Sequence, residues 1–360
     1  MMTDEQIRQA AEALYQAEIT NTPMTPISET YPEAEIADAY RIGGLVTELK
    51  VANGRIVKGH KIGLTSKAMR SLTGATEPDY GTLFDDWFIL EGNPIDRSRM
   101  NRPMVEVELA FVLKDELGGP GCTVADVIRA TDFVLPSIEI VDSRFNKRGP
   151  NGLIDSISDA ASCGLIVLAG NPRKLTDLDI RAVGASMTIN GVIEESGVAR
   201  AVMDNPISSV AWLINKLSEF GVTPQPGHII LSGSFLKATP FKPGDNVQAL
   251  FSHDLGEVGA IAAHRLGQPR GHGLAGRVVG AVQEQHRHVD APAIQGLHRV
   301  GLVARVVHVP GVRTEEAVTA QRARVGLEIL LGDDVLVAGE VRRLRQTAKP
   351  STMLAHLRCR

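Results

Sequence analysis

The sequence predicts an α+β fold, with helices gathered at its start and a mixed β-sheet through its middle. Three observations carry this. Helical periodicity dominates residues 4–51, whereas short β-branched and aromatic runs dominate from residue 56 to residue 261. Those runs are bounded by turn residues, as strands are. They do not alternate regularly with helices, as the strands of a parallel α/β sheet do, and no internal repeat is visible.

The elements follow in order. Ile7, Ala10, Ala11 and Leu14 recur at helical spacing within residues 4–18, giving an amphipathic helix. A loop with Pro23, Pro26 and Pro32 separates it from a second helix, Ile36 to Val51. Asn53-Gly54 signals a turn, and residues 56–65 read as a strand interrupted by glycines. On it Lys61, Gly63 and Thr65 share one face, and His60, Ile62 and Leu64 the other. Asp79 lies in a Pro-Asp-Tyr-Gly stretch, which reads as a turn. Residues 103–113 (PMVEVELAFVL) form a strand opened by a proline and closed by Lys114-Asp115-Glu116. Thr123 to Ala130 is a short helix feeding a strand around Glu139, and residues 165–168 are another strand. A hairpin turns at Asn190-Gly191. The clearest helix runs from Pro206 to Phe220, with Asn205 as N-cap, Gly221 as stop, and Val210, Leu213, Ile214 and Leu217 as buried stripe. Strands at 228–233, 246–251 and 258–261 complete the sheet.

Chemistry first shows in the strand at 103–113. Strand side chains alternate, so Glu106 and Glu108 share one face while Val105, Val107 and Leu109 share the other. Glu139, between Ile138 and Ile140, is set the same way on its own strand. Adjacent like charges repel and resist burial, and a divalent cation removes both penalties. Carboxylates alone are hard oxygen ligands, suited to Mg²⁺ or Mn²⁺ more than to zinc. The same glutamates would also serve as ordinary solvent-facing residues, and their spacing does not decide between the two.

Composition narrows the function classes. The chain has 360 residues, 43% hydrophobic and 22% charged, as a globular protein does. A net charge of −4 argues against nucleic acid as partner. The polar start and the lack of a long apolar run argue against a secretion signal and a membrane span, so the expected location is the cytoplasm. Cys122, Cys163 and Cys359 lie far apart, without Cys-x-x-Cys spacing. No GxGxxG or P-loop supports a nucleotide cofactor.

Composition also divides the chain. After Phe251 there is no aromatic residue, and after Ala263 the basic residues are arginines except Lys349. Residues 1–263 read as the catalytic domain, helical over about 1–52. Residues 264–360 read as a non-native tail, of the kind that read-through or a frameshift gives, with a small Arg-rich accessory domain as the second reading.

Five stretches carry a resemblance: residues 59–66 (GHKIGLTS), 77–81 (EPDYG), 105–113 (VEVELAFVL), 191–197 (GVIEESG) and 210–213 (VAWL). In this order and spacing, from about residue 5 to 263, the chain resembles the hydratase/decarboxylase branch of the fumarylacetoacetate hydrolase superfamily. The resemblance implies that superfamily's mixed β-sheet roll and a metal, Mg²⁺ or Mn²⁺, held by Glu106, Glu108 and Glu139. It implies proton transfer by Lys61 and Asp79, with His60 packed on the opposite strand face. Gly233 and Ser234 match a small-residue loop that accepts a substrate carboxylate, and Arg144, Lys147 and Arg148 offer a grip for a second one. The implied activity is metal-dependent addition of water to 2-hydroxy-2,4-dienoates, the seven-carbon dioate first, in aromatic meta-cleavage catabolism. Decarboxylation of 4-oxalocrotonate and a non-catalytic scaffold role are the alternatives. A homo-oligomer is expected, as is association with a paired decarboxylase. The sequence departs from the family at Met104, where relatives usually carry Arg or Lys, and at Ala160, where they often carry Asn.

Overall fold

The computed structural model describes residues 1–147 and 151–263, together with three short strands further on. The chain divides into two compact units, Met1–Gln268 and Pro269–Arg360. In the first, α1 (Asp4–Thr20), α2 (Ile27–Thr30) and α3 (Ile36–Ala52) precede β1 (Val57–Gly63). Then come α4 (Lys67–Thr73), β2 (Asp79–Phe84), β3 (Phe88–Ile89), β4 (Pro94–Asp96) and β5 (Met104–Leu113). They are followed by α5 (Val124–Ala130), β6 (Thr131–Val141), α6 (Leu153–Ser158), β7 (Cys163–Leu168), β8 (Gly184–Ile189) and β9 (Val192–Val198). The unit ends with α7 (Pro206–Ser218), β10 (Ile229–Leu231), β11 (Thr239–Pro240), β12 (Asn246–Phe251) and β13 (Gly256–Ala263).

Local sequence explains most of these elements. A capping box between Thr3 and Gln6 starts α1, and the buried stripe is Ile7, Ala10, Ala11, Leu14 and Ala17. Asn205 caps α7 through Ile207 N–H, with Pro206 in the first turn. Asn190 and Gly191, both at positive φ, make the turn between β8 and β9. Asp79 corrects an expectation: it opens β2, paired with Gly63, because the extended run DYGTLF finds β1 as its antiparallel partner.

The strands form two mixed sheets. One has the order β2-β1-β10-β5-β6-β7-β3, with β11 also on β5; the other has the order β4-β13-β12-β8-β9. β1–β10, β3–β7 and β13–β4 are parallel pairs, and the remaining pairings of these two sheets are antiparallel. Val105, Val107, Leu109 and Phe111 on one face of β5 share the main core with Val210, Leu213, Ile214 and Leu217 of α7. Each contributes about 2 kcal/mol of apolar burial, which fixes the register of β5 and turns its even-numbered residues to the opposite face.

In the second unit, β14 (Val303–Val306), β15 (Leu327–Leu331) and β16 (Asp334–Val337) form an antiparallel meander. The expectation of a non-native tail otherwise falls outside the described residues, as does Arg148.

Candidate active site

The site is assembled by register. Glu106 and Glu139 are direct cross-strand partners on β5 and β6, and Glu108 lies opposite Ser137. On the other side of β5, Ala110 pairs with Leu231 of β10, which pairs with Lys61 of β1. Gly63 pairs with Asp79 of β2. Because alternate residues share a face, these pairings set Lys61, Asp79, Glu106, Glu108 and Glu139 on one face of a single sheet. His60 faces the other way, buried near Tyr80.

One ligand oxygen from each of Glu106, Glu108 and Glu139 lies within 4.8 Å of the other two. Glu108 and Glu139 are fully buried, while Glu106 is partly exposed. Lys61 Nζ stands 3.1 Å from Glu139 Oε1 and donates to the Ala161 carbonyl at 2.9 Å. Glu139 is thus ion-paired with Lys61, and the Cys163 thiol also interacts with its carboxyl. Glu108 accepts the Gly233 N–H through Oε2 at 2.8 Å, while Oε1 is unpartnered among them.

Charge follows from this geometry. Burial, partly relieved by Lys61 and worsened by Glu139, pushes Glu106 up to about 7. Burial and the neighbouring carboxylates raise Glu108 well above the usual range, and burial raises Glu139. Burial alone would lower Lys61, but Glu139, Glu106 and Glu108 outweigh it and keep the ammonium charged. Three carboxylates around one ammonium leave a buried excess of negative charge. Together with the unpartnered Oε1 of Glu108, that excess fits a hard divalent cation.

Asp79 is buried, and burial raises its carboxyl above the usual range. Its Oδ2 accepts the Ser156 hydroxyl at 2.8 Å, and Oδ1 is unpartnered among the described residues. Gly63 makes this possible, since a Cβ there would overlap Asp79 Oδ1. At Gly233, φ is +104° and a Cβ would overlap Thr65, so the turn that braces Glu108 requires glycine.

Comparison with known proteins follows from these residues. The family described as Fumarylacetoacetate (FAA) hydrolase C-terminal matches residues 60–263, a span that includes all five of these side chains. The chain belongs to the fumarylacetoacetate hydrolase family. The 2-oxo-hept-4-ene-1,7-dioate hydratase of Escherichia coli is 45% identical over 257 residues, covering 70% of this chain and 95% of that one. The 4-oxalocrotonate decarboxylase of Pseudomonas sp. strain CF600 is 37% identical, covering 68% of this chain and 93% of that one. Among solved structures, 4-oxalocrotonate decarboxylase from Pseudomonas putida G7, complexed with magnesium and adipate, has 35% identity and a TM-score of 0.70. That match covers 73% of this chain and 99% of the decarboxylase, which is also solved with calcium and acetate. Within the fumarylacetoacetate hydrolase family the chain falls in the hydratase/decarboxylase branch, and like those relatives it is an enzyme. No helix among the described residues is long and apolar enough to cross a membrane.

Three residues expected to contact substrate have partners within the fold. Arg144 is buried, its guanidinium held by Asp159 Oδ1 at 2.5 Å and by the carbonyls of Asp142, Cys163 and Asp159. The Arg144 donors are thus spent within the fold, on Asp159 and on three backbone carbonyls, where a substrate grip was expected. The Gly233 N–H donates to Glu108. The Ser234 hydroxyl bonds the Val107 and Leu236 carbonyls at 3.1 and 2.9 Å, fastening its loop to β5. Sequence reasoning missed Ser156 and Ser137. Ser137 stands two residues before Glu139 and opposite Glu108, so the alternation that found the glutamates would also have found it. For Ser156, on a distant short helix, the sequence carries no such signal.

Proposed function

We propose that the protein is a magnesium-dependent hydratase of 2-hydroxy-2,4-dienoates in aromatic meta-cleavage catabolism. Its proposed main reaction converts 2-oxohept-4-ene-1,7-dioate to 4-hydroxy-2-oxoheptanedioate. The observation that carries this is the carboxylate trio beside a charged lysine and a buried aspartate with one free oxygen. The identity to a hydratase of that dioate supports the substrate.

The chemistry needs a proton taken from C3 of the 2-oxo-4-ene to give the dienol, a proton delivered to C5 as the 2-hydroxyl gives one up, then the OH of water added at C4 of the resulting 2-oxo-3-ene and its H at C3. Glu106, Glu108 and Glu139 would hold the cation, which supplies positive charge where the 2-oxygen becomes an enolate. Lys61, charged and hydrogen-bonded to Ala161, orients Glu139 and adds positive charge at the same face. Asp79 Oδ1 is the oxygen placed to hold or move a proton, and burial makes its carboxyl take one more readily than an ordinary aspartate.

The structural likeness to 4-oxalocrotonate decarboxylase supports a second reading, decarboxylation on the same enolate chemistry. One assay separates them: loss of dienoate absorbance with and without Mg²⁺, on five-carbon monoacid and seven-carbon diacid substrates, with products identified by mass. Hydration adds one water and is expected to fall to background with Glu106→Gln. Release of carbon dioxide would favour the decarboxylase, and absence of metal-dependent turnover would sink both readings.

A further inference from the structure

We propose that Ser156 is a positioning residue for Asp79, fixing which of its two oxygens carries the transferred proton. This rests on the reading of Asp79 as the proton-transfer group. The Ser156 hydroxyl donates to Asp79 Oδ2 at 2.8 Å. An oxygen that accepts an O–H hydrogen bond is a poor place for a second proton, so a proton on Asp79 resides on Oδ1. That oxygen is turned toward Gly63, beside Ala161, whose carbonyl accepts the Lys61 ammonium. Ser156 therefore stops the carboxyl from rotating and presents its reactive oxygen on the face that holds Lys61 and the glutamates.

The helix that carries Ser156 is itself fixed from the other side. Its neighbour Asp155 is fully buried and accepts both the backbone N–H and the hydroxyl of Ser28 on α2, at 2.9 and 2.7 Å. Successive helix residues point about 100° apart, so α6 reaches the N-terminal helices with Asp155 and the sheet with Ser156. Ile157 adds apolar contact with Ala39 and Tyr40 of α3. The N-terminal helices thus act on the proton-transfer carboxyl through one short helix.

The test compares Ser156→Ala with Ser156→Thr in the full chain. Loss of the hydroxyl is expected to lower kcat about tenfold to a hundredfold, as misorientation of a reacting group does, with KM changed less than about threefold. The hydroxyl bond favours the ionised carboxyl, so its loss moves the limb of the pH–rate profile governed by Asp79 to higher pH. Lys61, Glu106, Glu139 and Tyr40 also interact with the Asp79 charge and are unchanged in both variants. Ser156→Thr keeps the hydroxyl and is expected to restore both rate and profile. Wild-type rate and profile in Ser156→Ala, or equal impairment in Ser156→Thr, overturns the inference. A ¹³C NMR titration of the Asp79 carboxyl, assigned with Asp79→Asn, gives a readout independent of turnover. It is expected to move to higher pH in Ser156→Ala; an unchanged titration overturns the role of Ser156 and leaves the hydratase reading standing.

Discussion

Glu108 shows what a buried carboxylate cluster costs the protein when no cation offsets its charge. It is fully buried with its carboxyl raised well above the usual range, and Glu106 is raised to about 7. Between the ordinary glutamate range and pH 7 the folded metal-free protein therefore binds more protons than the unfolded chain, and its stability falls as pH rises through that window. Glu108→Gln replaces a carboxyl that is costly to bury with a neutral group of the same shape, so metal-free Tm is expected to rise by about 2–4 °C. Mg²⁺ is expected to raise the Tm of the wild type by binding the folded state, and Glu108→Gln to abolish that rise. Thermal melts with EDTA and with Mg²⁺, at pH 5.5 and 8, check both; a lower metal-free Tm would count against the cluster as described. Gly63→Ala is a second case, because its methyl would overlap Asp79 Oδ1. We expect kcat to fall at least about tenfold with metal affinity kept, measured by turnover and Mn²⁺ titration. Alternation put Glu106 and Glu108 on one face but left their role open, and the roles proposed for the glutamates, Asp79 and Lys61 all came from the family resemblance. The pairing of Arg144 with Asp159 was not legible, because the fold that brings them together is not displayed by the sequence.

The helical layer rests on a buried ionic joint between α1 and α3. Glu18 binds Lys50 at 2.7 Å and Arg55 at 2.5 Å, and Lys50 lies 4.4 Å from the centre of the Trp87 ring. Burial alone would raise Glu18, but Lys50, Arg144 and Arg55 outweigh it and bring the carboxyl down to about 2. Burial pulls Lys50 the other way, toward losing its charge, so the joint stabilises less than Glu18 alone suggests. A depressed carboxyl contributes stability above its unfolded value near 4.5, and that stability is lost as pH falls toward about 2. Glu18→Gln is expected to destabilise the protein by about 1–3 kcal/mol at pH 7, with the difference shrinking between pH 4.5 and 2. Urea unfolding across that range checks it; a constant difference would show that the effect is packing, not charge. Elements with strong local signals were read correctly, as with α7, the hairpin at Asn190-Gly191 and β5. β2 and α6 were not, because one is set by its partner strand and the other is six residues long, too short to show a period.

At the scale of the whole chain, the proposed site residues and the side chains that support them lie in the unit Met1–Gln268. Each side chain placed at the site lies between Lys61 and Ser234, and the last strand of its two sheets ends at Ala263. The E. coli hydratase matches 70% of this chain yet 95% of its own length, so a family member performs its reaction with nearly no counterpart to residues beyond the match. The main core of this unit closes on Leu255, Val258, Ala260 and Ala262, so a cut inside β13 would open it, whereas a cut after Gln268 leaves it whole. We therefore expect a variant ending at Gln268 to keep kcat/KM within about twofold and Mg²⁺-induced stabilisation unchanged. A variant ending at Leu255 loses β13 and is expected to unfold, since its buried Val258, Ala260 and Ala262 are removed from the core. Turnover and thermal melts of the two, beside the full chain, decide the matter. If the longer variant folds but has lost turnover, the second unit takes part in the reaction, and a catalytic domain confined to the first 263 residues is wrong.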